Sequence, residues 1–490
     1  MTLTVLLTII TAVALFITLL NGFVLNKNRN WILSFLQSFS GVFFLISGFV
    51  KVVDPLGTAY KMEDYFHAFS KHLANTPFSF LDGLWHLLAD NGVYVALVMI
   101  VLELLIGFML LIGSRRKIVA WVFLAMVFFF AILTGFTYLT GYVPPDVTFF
   151  EFSKWGLYSA DQMEVSDCGC FGDFLKLEPY TSFIKDIFLL IPAIAFILFY
   201  KYEYQWWTKS VRFLASIAFV TIVTVFGMYN TWFDIPVFDF RPFKEGTDIR
   251  GIKAMEEEAM NNVEVLGYKL YNSISGEEVE LTMDEYLENF KSYPKSEWEF
   301  TQIKTEPEIE ATKISDFIIS GINNENLSEE MLNNEDFNLW VISPVLHPVA
   351  SRIEEYEVMD TIAVYDTAQV RGEMVVDTSM EVVKRMAERE VFEWQQKYIK
   401  RYTDIVGPAI DYLKSIGKET YVVVGGAGQL AVEDLTSRFA PEAQAGTADE
   451  ILLKTMIRSN PGFILAKDGV VIRKWHFNKF NLEELKQLIQ

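Results

Sequence analysis

Cysteine is nearly absent: Cys168 and Cys170 are the only two in 490 residues. A scaffold stapled by several disulfides is therefore excluded, and so is a four-thiolate zinc site. Histidine is scarce too, with five in all, and none lies within a long apolar run, so no histidine is offered inside a membrane span to ligate a haem. A nucleotide loop is missing, because Gly425-Gly426-Ala427-Gly428 follows a predicted strand but has neither the lysine nor the spacing of the phosphate-binding motifs. An excess of basic charge is missing as well. Residues 1–230 carry 14 basic and 15 acidic side chains and residues 231–490 carry 27 and 47, so almost all of the net charge of −21 lies in the second half. That balance argues against nucleic acid as a partner.

What is present divides the chain near residue 230. Before it lie apolar runs at about Leu3–Leu25, Trp31–Val50, Val93–Gly113, Ile118–Gly141, Phe183–Tyr200 and Val211–Tyr229. Each approaches the ~20 residues that cross a bilayer, so six spans in contact with membrane lipid are expected. The first has no basic leader and no small-residue cleavage site, which reads as a retained helix. Lys27 and Arg29, then Arg115, Arg116 and Lys117, then Lys201, Lys209 and Arg212 fall in connections on one side. By the positive-inside rule that side is cytoplasmic. Both termini, the loops Thr58–Asn91 and Tyr142–Pro179 and the acidic half are then extracytoplasmic.

The two cysteines stand in Asp167-Cys168-Gly169-Cys170-Phe171-Gly172-Asp173. A disulfide needs Cα atoms roughly 4.4–6.8 Å apart, and Gly169 permits the tight bend that two residues separated by one require. A ring so small is strained, and strained disulfides are the labile ones. The flanking aspartates act against reactivity by raising the thiol pKa. A redox pair, a structural or reduced pair, and partner-linking or metal-binding thiols all fit these residues. Glu103 lies deep within a span, where a carboxylate is a functional candidate by default. A contact with Lys51, a proton path or a hydrogen bond that assembles helices would each explain it. Lys185 and Asp186 open the fifth span and read as interfacial anchors. His67, His72 and His86 accompany Phe66, Phe69, Phe78, Phe80 and Trp85 in amphipathic helices, at spacings unlike a helical metal pair.

Three segments carry a resemblance: Phe43 to Pro55, containing Ser47, Gly48, Lys51 and Asp54; the Glu103–Gly107 span ending in Gly113-Ser114-Arg115-Arg116; and Cys168-Gly169-Cys170-Phe171-Gly172 with Ser182 to Asp186. Over roughly residues 31–200 the chain resembles the DoxX/MauE group of bacterial membrane proteins. The resemblance implies a four-helix membrane core linked to thiol- or quinone-coupled redox, with Cys168 and Cys170 as the catalytic pair and an extracytoplasmic protein as their partner. A quinone is the cofactor it suggests.

The acidic half opens with a polar exit, Arg241–Met260, and a small subdomain or linker over 241–312. Tyr268–Leu281 alternates like a strand pair around Ser275-Gly276-Glu277. From 313 the pattern alternates: strand Ile314–Ile319, helix Ser328–Asn334, strand Asn338–Ser343, then a long helical insertion and strand Thr420–Gly425. A mixed α/β domain follows from that order. Pro461 leads into a strand, Asp468-Gly469 into a hairpin and Leu482–Ile489 into a closing helix. This ending resembles the closing half of a thioredoxin-like fold, whose proline is commonly cis and borders the active site. No cysteine follows Ser343, so this domain is no dithiol oxidoreductase, and Pro461 and His347 become candidate contacts to a protein partner. The domains expected are 1–30 (first span), 31–200 (helical core), 201–240 (sixth span and exit), 241–312 and 313–490. The function expected is a membrane thiol/disulfide redox protein; the alternative is an assembly or chaperone factor without catalysis.

Overall fold

The computed structural model describes residues 2–74, 76–165, 169–272, 274–322, 325–370 and 373–490. It divides into two units, one of residues 1–241 with 258–310 and one of residues 242–257 with 311–490.

The first unit combines a helical bundle with a small sheet. Among the described residues six helices are long and apolar enough to cross a membrane: α1 (Leu3–Leu19, prolonged to Val24 by a π turn), α2 (Trp31–Val53), then, after the shorter α3 (Pro55–Leu73) and α4 (Asp82–Asp90), α5 (Gly92–Ile112), α6 (Arg116–Thr140), α7 (Pro179–Phe199, with one further turn) and α8 (Lys209–Trp232). Their limits follow local chemistry. Asn30 caps α2 by accepting the Leu33 amide at 3.0 Å, and Asp54 accepts the Gly57 amide at 3.2 Å where Pro55 starts α3. Gly113, at φ +66°, ends α5 in the left-handed conformation glycine adopts at least cost.

Helices α2 and α5 approach most closely at glycine. A Cβ on Gly107 would stand 2.9 Å from the Leu45 amide nitrogen and 3.0 Å from the Gly41 carbonyl. Small residues here let two backbones meet without lipid between them. Aromatic rings fill the bundle beyond that contact, with Phe44 against Phe123 at 4.8 Å and Phe123 against Phe196 at 5.6 Å between centroids. Helix α3 buries Ala59, Met62, Tyr65 and Phe66, so it belongs to the packed bundle, while Phe78 and Phe80 stay exposed. The basic connections meet at one end: Arg29 and Arg116 both donate to the Lys201 carbonyl, at 3.2 and 3.0 Å.

Beyond the bundle, the expected polar exit contains a helix, α9 (Ile249–Asn261). Then come β1 (Val265–Asn272), β2 (Glu278–Thr282), α10 (Met283–Asn289) and β3 (Trp298–Lys304), in a sheet of order β2-β1-β3. Thr282 and Glu285 cap α10 reciprocally.

The second unit adds β4 (Ile319–Gly321), α11 (Leu327–Asn333), β5 (Phe337–Ser343), β6 (Pro348–Val370), β7 (Glu373–Trp394), α12 (Gln396–Arg401), α13 (Gly407–Ser415), β8 (Thr420–Gly425), α14 (Gln429–Phe439), β9 (Gln444–Ala448), α15 (Glu450–Met456), β10 (Gly462–Lys467), β11 (Val470–His476) and α16 (Leu482–Ile489). Its six-stranded mixed sheet runs β11-β10-β5-β8-β9-β4. Strands β5, β8 and β9 are parallel and β4, β10 and β11 antiparallel to their neighbours. β5 and β8 are almost wholly buried, as strands covered on both faces must be. Asp468 (φ 51°) and Gly469 (φ 74°) form the tight turn between β10 and β11.

Two expectations fail here. Ile314–Ile319 is no strand: only Ile319 joins the sheet, since Ile314 and Phe317 are buried from a turn. The insertion after Ser343 is helical only from Gln396; before that β6 and β7 form a long antiparallel hairpin. Apolar and charged residues mix along it, but Val, Ile, Thr and Tyr favour strands.

Candidate functional site

At the end of the bundle opposite the basic connections, three helices bring charged groups, and a fourth a hydroxyl, to the neighbourhood of one thiol. Lys51 lies in the last turn of α2, and its Nζ stands 2.8 and 3.0 Å from the two carboxylate oxygens of Glu103 on α5. Both side chains are buried, at 6% and 2% exposure. One turn earlier on α2, Ser47 accepts a hydrogen bond from Lys51 at 3.1 Å and donates one to the Cys170 carbonyl at 2.9 Å. A second pair lies in the second turn of α7: Lys185 Nζ is 2.5 Å from Asp186 Oδ1, and Thr134 of α6 donates to Asp186 Oδ2 at 3.0 Å. Cys170 and Lys185 line one small cavity together with Lys51, Glu103 and Asp186. Rings line the same space, with Lys51 Nζ 4.8 Å from the Phe130 centroid and Lys185 Nζ 5.6 Å from that of Phe43.

The cluster therefore holds two ammonium groups and two carboxylates around Cys170. Two buried pairs keep it neutral, which avoids the several kcal/mol that each unpaired buried ion costs. Removing any one of the four leaves its partner uncompensated. Two small cavities flank the Lys51–Glu103 pair. The one on the side of Thr58, Lys61 and Met62 has about 20 Å³, room for one water, and the one toward Lys185 about 10 Å³.

Cys170 is not in a disulfide. Cys168 lies outside the described residues, and with it the Cys168–Cys170 bond. Gly169, where a tight bend is expected, has φ 59°, and Gly172 has φ 51°, both in the left-handed region. The effect on the thiol differs from expectation. Burial is what chiefly pushes the Cys170 thiol up; Lys185 pulls it down and Asp186 raises it again, with Lys51 and Glu103 as smaller opposing influences. Asp173 is not among those groups, and Asp167 lies outside the described residues. Lys185 and Asp186 are likewise no interfacial anchors, since Asp186 is buried, Lys185 is only 11% exposed, and both line a cavity with Cys170. Sequence reasoning could have found them by their place one turn into a span, on the helix that follows the cysteine loop.

Of the histidines, His72 accepts a hydrogen bond from the Phe149 amide at 3.1 Å and lies 3.2 Å from Glu164. The His72 contact, followed by Lys71 at 2.5 Å, holds the Glu164 carboxyl down to about 2. His67 and His86 face each other at 6.3 Å between centroids.

In the second unit Pro461 and His347 come together. The Asn460–Pro461 peptide is cis, and Asn460 Nδ2 donates to the Val345 carbonyl at 2.6 Å and stands 3.4 Å from His347 Nε2. Burial, with the Arg401 charge beside it, keeps the His347 imidazole below its usual pKa. Arg401 donates to the Asn460 carbonyl and stacks on Phe477 at 3.8 Å. At the end of β5, Ser343 meets Tyr402 at 2.7 Å and accepts from Tyr398 at 3.1 Å. These hydroxyls occupy the strand-to-helix region where no cysteine is found.

No protein-family model, curated protein or solved structure matches the chain.

Proposed function

We propose that this is a membrane thiol/disulfide redox protein in which Cys168 and Cys170 exchange with an extracytoplasmic protein partner. The observation that carries the reading is that Cys170 and Lys185 line one small cavity within a cluster of paired charges. A structural disulfide clip has no use for a cation at its sulfur, whereas exchange requires a thiolate, which a neighbouring cation favours. Exchange balances within two dithiols. The Cys168–Cys170 disulfide is attacked by a partner thiolate, a mixed disulfide forms, and the second partner thiolate displaces the protein's sulfur. The partner is oxidised by two electrons and Cys168 and Cys170 are reduced. Reoxidation passes two electrons and two protons to a quinone in the membrane, the acceptor suggested by the DoxX/MauE resemblance. The neighbourhood of Lys51 and Glu103 supports the proton part, since it places exchangeable groups and room for a water beside the thiol.

A second reading has its own support. The order β8-β5-β10-β11 with cis-Pro461 at the head of β10 fits a thioredoxin-like domain, and Ser343, Tyr398 and Tyr402 stand where a redox member would hold cysteines. Such a domain binds a partner without chemistry, with Pro461 and His347 at the contact, and the whole chain then acts as an assembly factor.

Thiol alkylation of purified membranes across a glutathione series separates the two. A reversible couple at Cys168–Cys170 in the range of thiol oxidants, about −120 to −200 mV, is expected. Thiols that never oxidise, or a bond that resists the whole series, favour the assembly factor. Trapping of a mixed disulfide with Cys168→Ser or Cys170→Ser then identifies the attacked sulfur.

A further inference from the structure

At the basic end of the bundle a carboxyl is buried for which the thiol chemistry has no use. Glu203 follows the last turn of the fifth span and is 2% exposed, and its Oε1 has no hydrogen-bond partner. The segment it belongs to is seated deeply in the helices. Gln37, fully buried on α2, accepts from the Tyr204 amide at 3.1 Å and donates to the Tyr204 carbonyl at 3.2 Å and the Leu110 carbonyl at 2.7 Å. The Tyr204 hydroxyl meets Ser38 at 3.0 Å. The Trp206 indole donates to Asn21 at 2.6 Å, and its amide to the Ile112 carbonyl at 3.0 Å. The seat therefore draws on α1, α2 and α5 together.

Among the described residues, the charged side chains that hydrogen-bond to this segment are arginines, turned to its backbone carbonyls. Arg29 reaches the Lys201 carbonyl. Arg116 on α6 reaches those of Lys201 and Glu203, the latter at 2.8 Å, and Arg212 on α8 those of Trp206 and Trp207, at 2.8 and 2.9 Å. Arg115 lies instead against the Phe213 ring, at 5.4 Å. Among the described residues, α1, α2 and α5 contribute Asn21, Ser38, Gln37 and backbone carbonyls to these contacts. The bound guanidinium groups do not change charge at any relevant pH. Burial pushes the neighbouring Tyr204 phenol further up from its ordinary value, so it stays neutral here, and Glu203 is the group among these contacts that titrates.

We propose that Glu203 is a proton-binding site at the end of the bundle remote from Cys170, and that the bound proton keeps residues 203–206 seated against α1, α2 and α5. A neutral carboxyl tolerates a site that offers its oxygen no donor, whereas a carboxylate there lacks the hydrogen bonds a buried charge needs. Burial pushes the carboxyl up to about 8, against the pull of Arg116. Once the segment swings into water, Glu203 ionises near its ordinary 4.5. Release therefore frees one proton between those limits, and rising pH favours release about tenfold per unit until pH 8, with no further change above it.

The test is amide exchange in the peptide holding Tyr204 and Trp206, in full-length protein in lipid nanodiscs from pH 5 to 9, divided by the intrinsic exchange rate. The protection factor is expected to fall about tenfold per pH unit and to level off near pH 8. Glu203→Gln, uncharged throughout, should give a flat profile, and Glu203→Asp, which still titrates, should keep the slope. A flat wild-type profile overturns the proposal even if neither variant folds. An undiminished slope in Glu203→Gln, or its loss in Glu203→Asp, overturns it as well.

Discussion

Lys185 is the cation with the largest pull on the Cys170 thiol, opposing the burial that raises it. Lys185→Met is therefore expected to shift the pH profile of Cys170 alkylation upward and to slow the reaction at neutral pH about tenfold, one pKa unit's worth of thiolate. Lys185→Arg keeps the charge and should restore much of the rate, which a packing role alone would not predict. Iodoacetamide kinetics between pH 6 and 10, in a Cys168→Ser background, measure both. Glu103 behaves differently, because its effect is on stability. Glu103→Leu strands the Lys51 ammonium in the bundle and should cost about 3–5 kcal/mol, while Lys51→Met with Glu103→Leu should cost far less. A double-mutant cycle on unfolding in detergent reads the coupling, and additive losses would show that the pair does not act as a unit.

Among elements, the contact of α2 with α5 sets the register that brings Lys51 to Glu103. Glu103 lies one turn before Gly107, whose Cβ would collide with the α2 backbone. Gly107→Val should push the helices apart, with a loss of about 1–3 kcal/mol or more and a faster, less pH-dependent alkylation of Cys170 as the cluster opens. The cap at the cysteine end answers to pH. Glu164 is held at about 2 by His72 and then Lys71. Its stabilisation is complete above its unfolded value of about 4.5 and is lost as pH falls through 2. Glu164→Gln should flatten that acid limb of the unfolding midpoint while leaving the neutral region lower by about 1–3 kcal/mol.

These elements also show what the sequence disclosed. The long apolar helices were legible because hydrocarbon demands uninterrupted apolar length, and the β10–β11 hairpin because Asp468-Gly469 accepts positive φ. Glu103 stood out as a charge in an apolar run. Lys185 and Asp186 did not, since a charged pair at a span's first turn looks the same whether it meets headgroups or folds inward, and only the returning cysteine loop decides. The β6–β7 hairpin escaped because its charged residues masked the two-residue period.

For the molecule as a whole the decisive question is which side of the membrane holds the cysteine loop, because disulfides persist only where the compartment is oxidising. If each of the six candidate spans among the described residues crosses, the N-terminus and the segment after α8 lie on one side, and the cysteine loop, between the fourth and fifth spans, shares it. The basic residues Arg29, Arg115, Arg116 and Lys201 gather at the other end, which the positive-inside rule assigns to the cytoplasm. The bias must outweigh Lys61, Lys71, Lys154 and Lys176 at the cysteine end, where acids such as Glu63, Asp64 and Glu164 accompany them. Alkaline phosphatase fused after Gln490 should therefore be active and a fluorescent protein that matures only in the cytoplasm dark, with the reverse for fusions within the loop after Arg116. An active fusion at Arg116 would put Cys170 in a reducing space. The thiol pair would then rest reduced, its exchange with an extracytoplasmic partner would be impossible, and the binding role of the second unit would have to explain the chain.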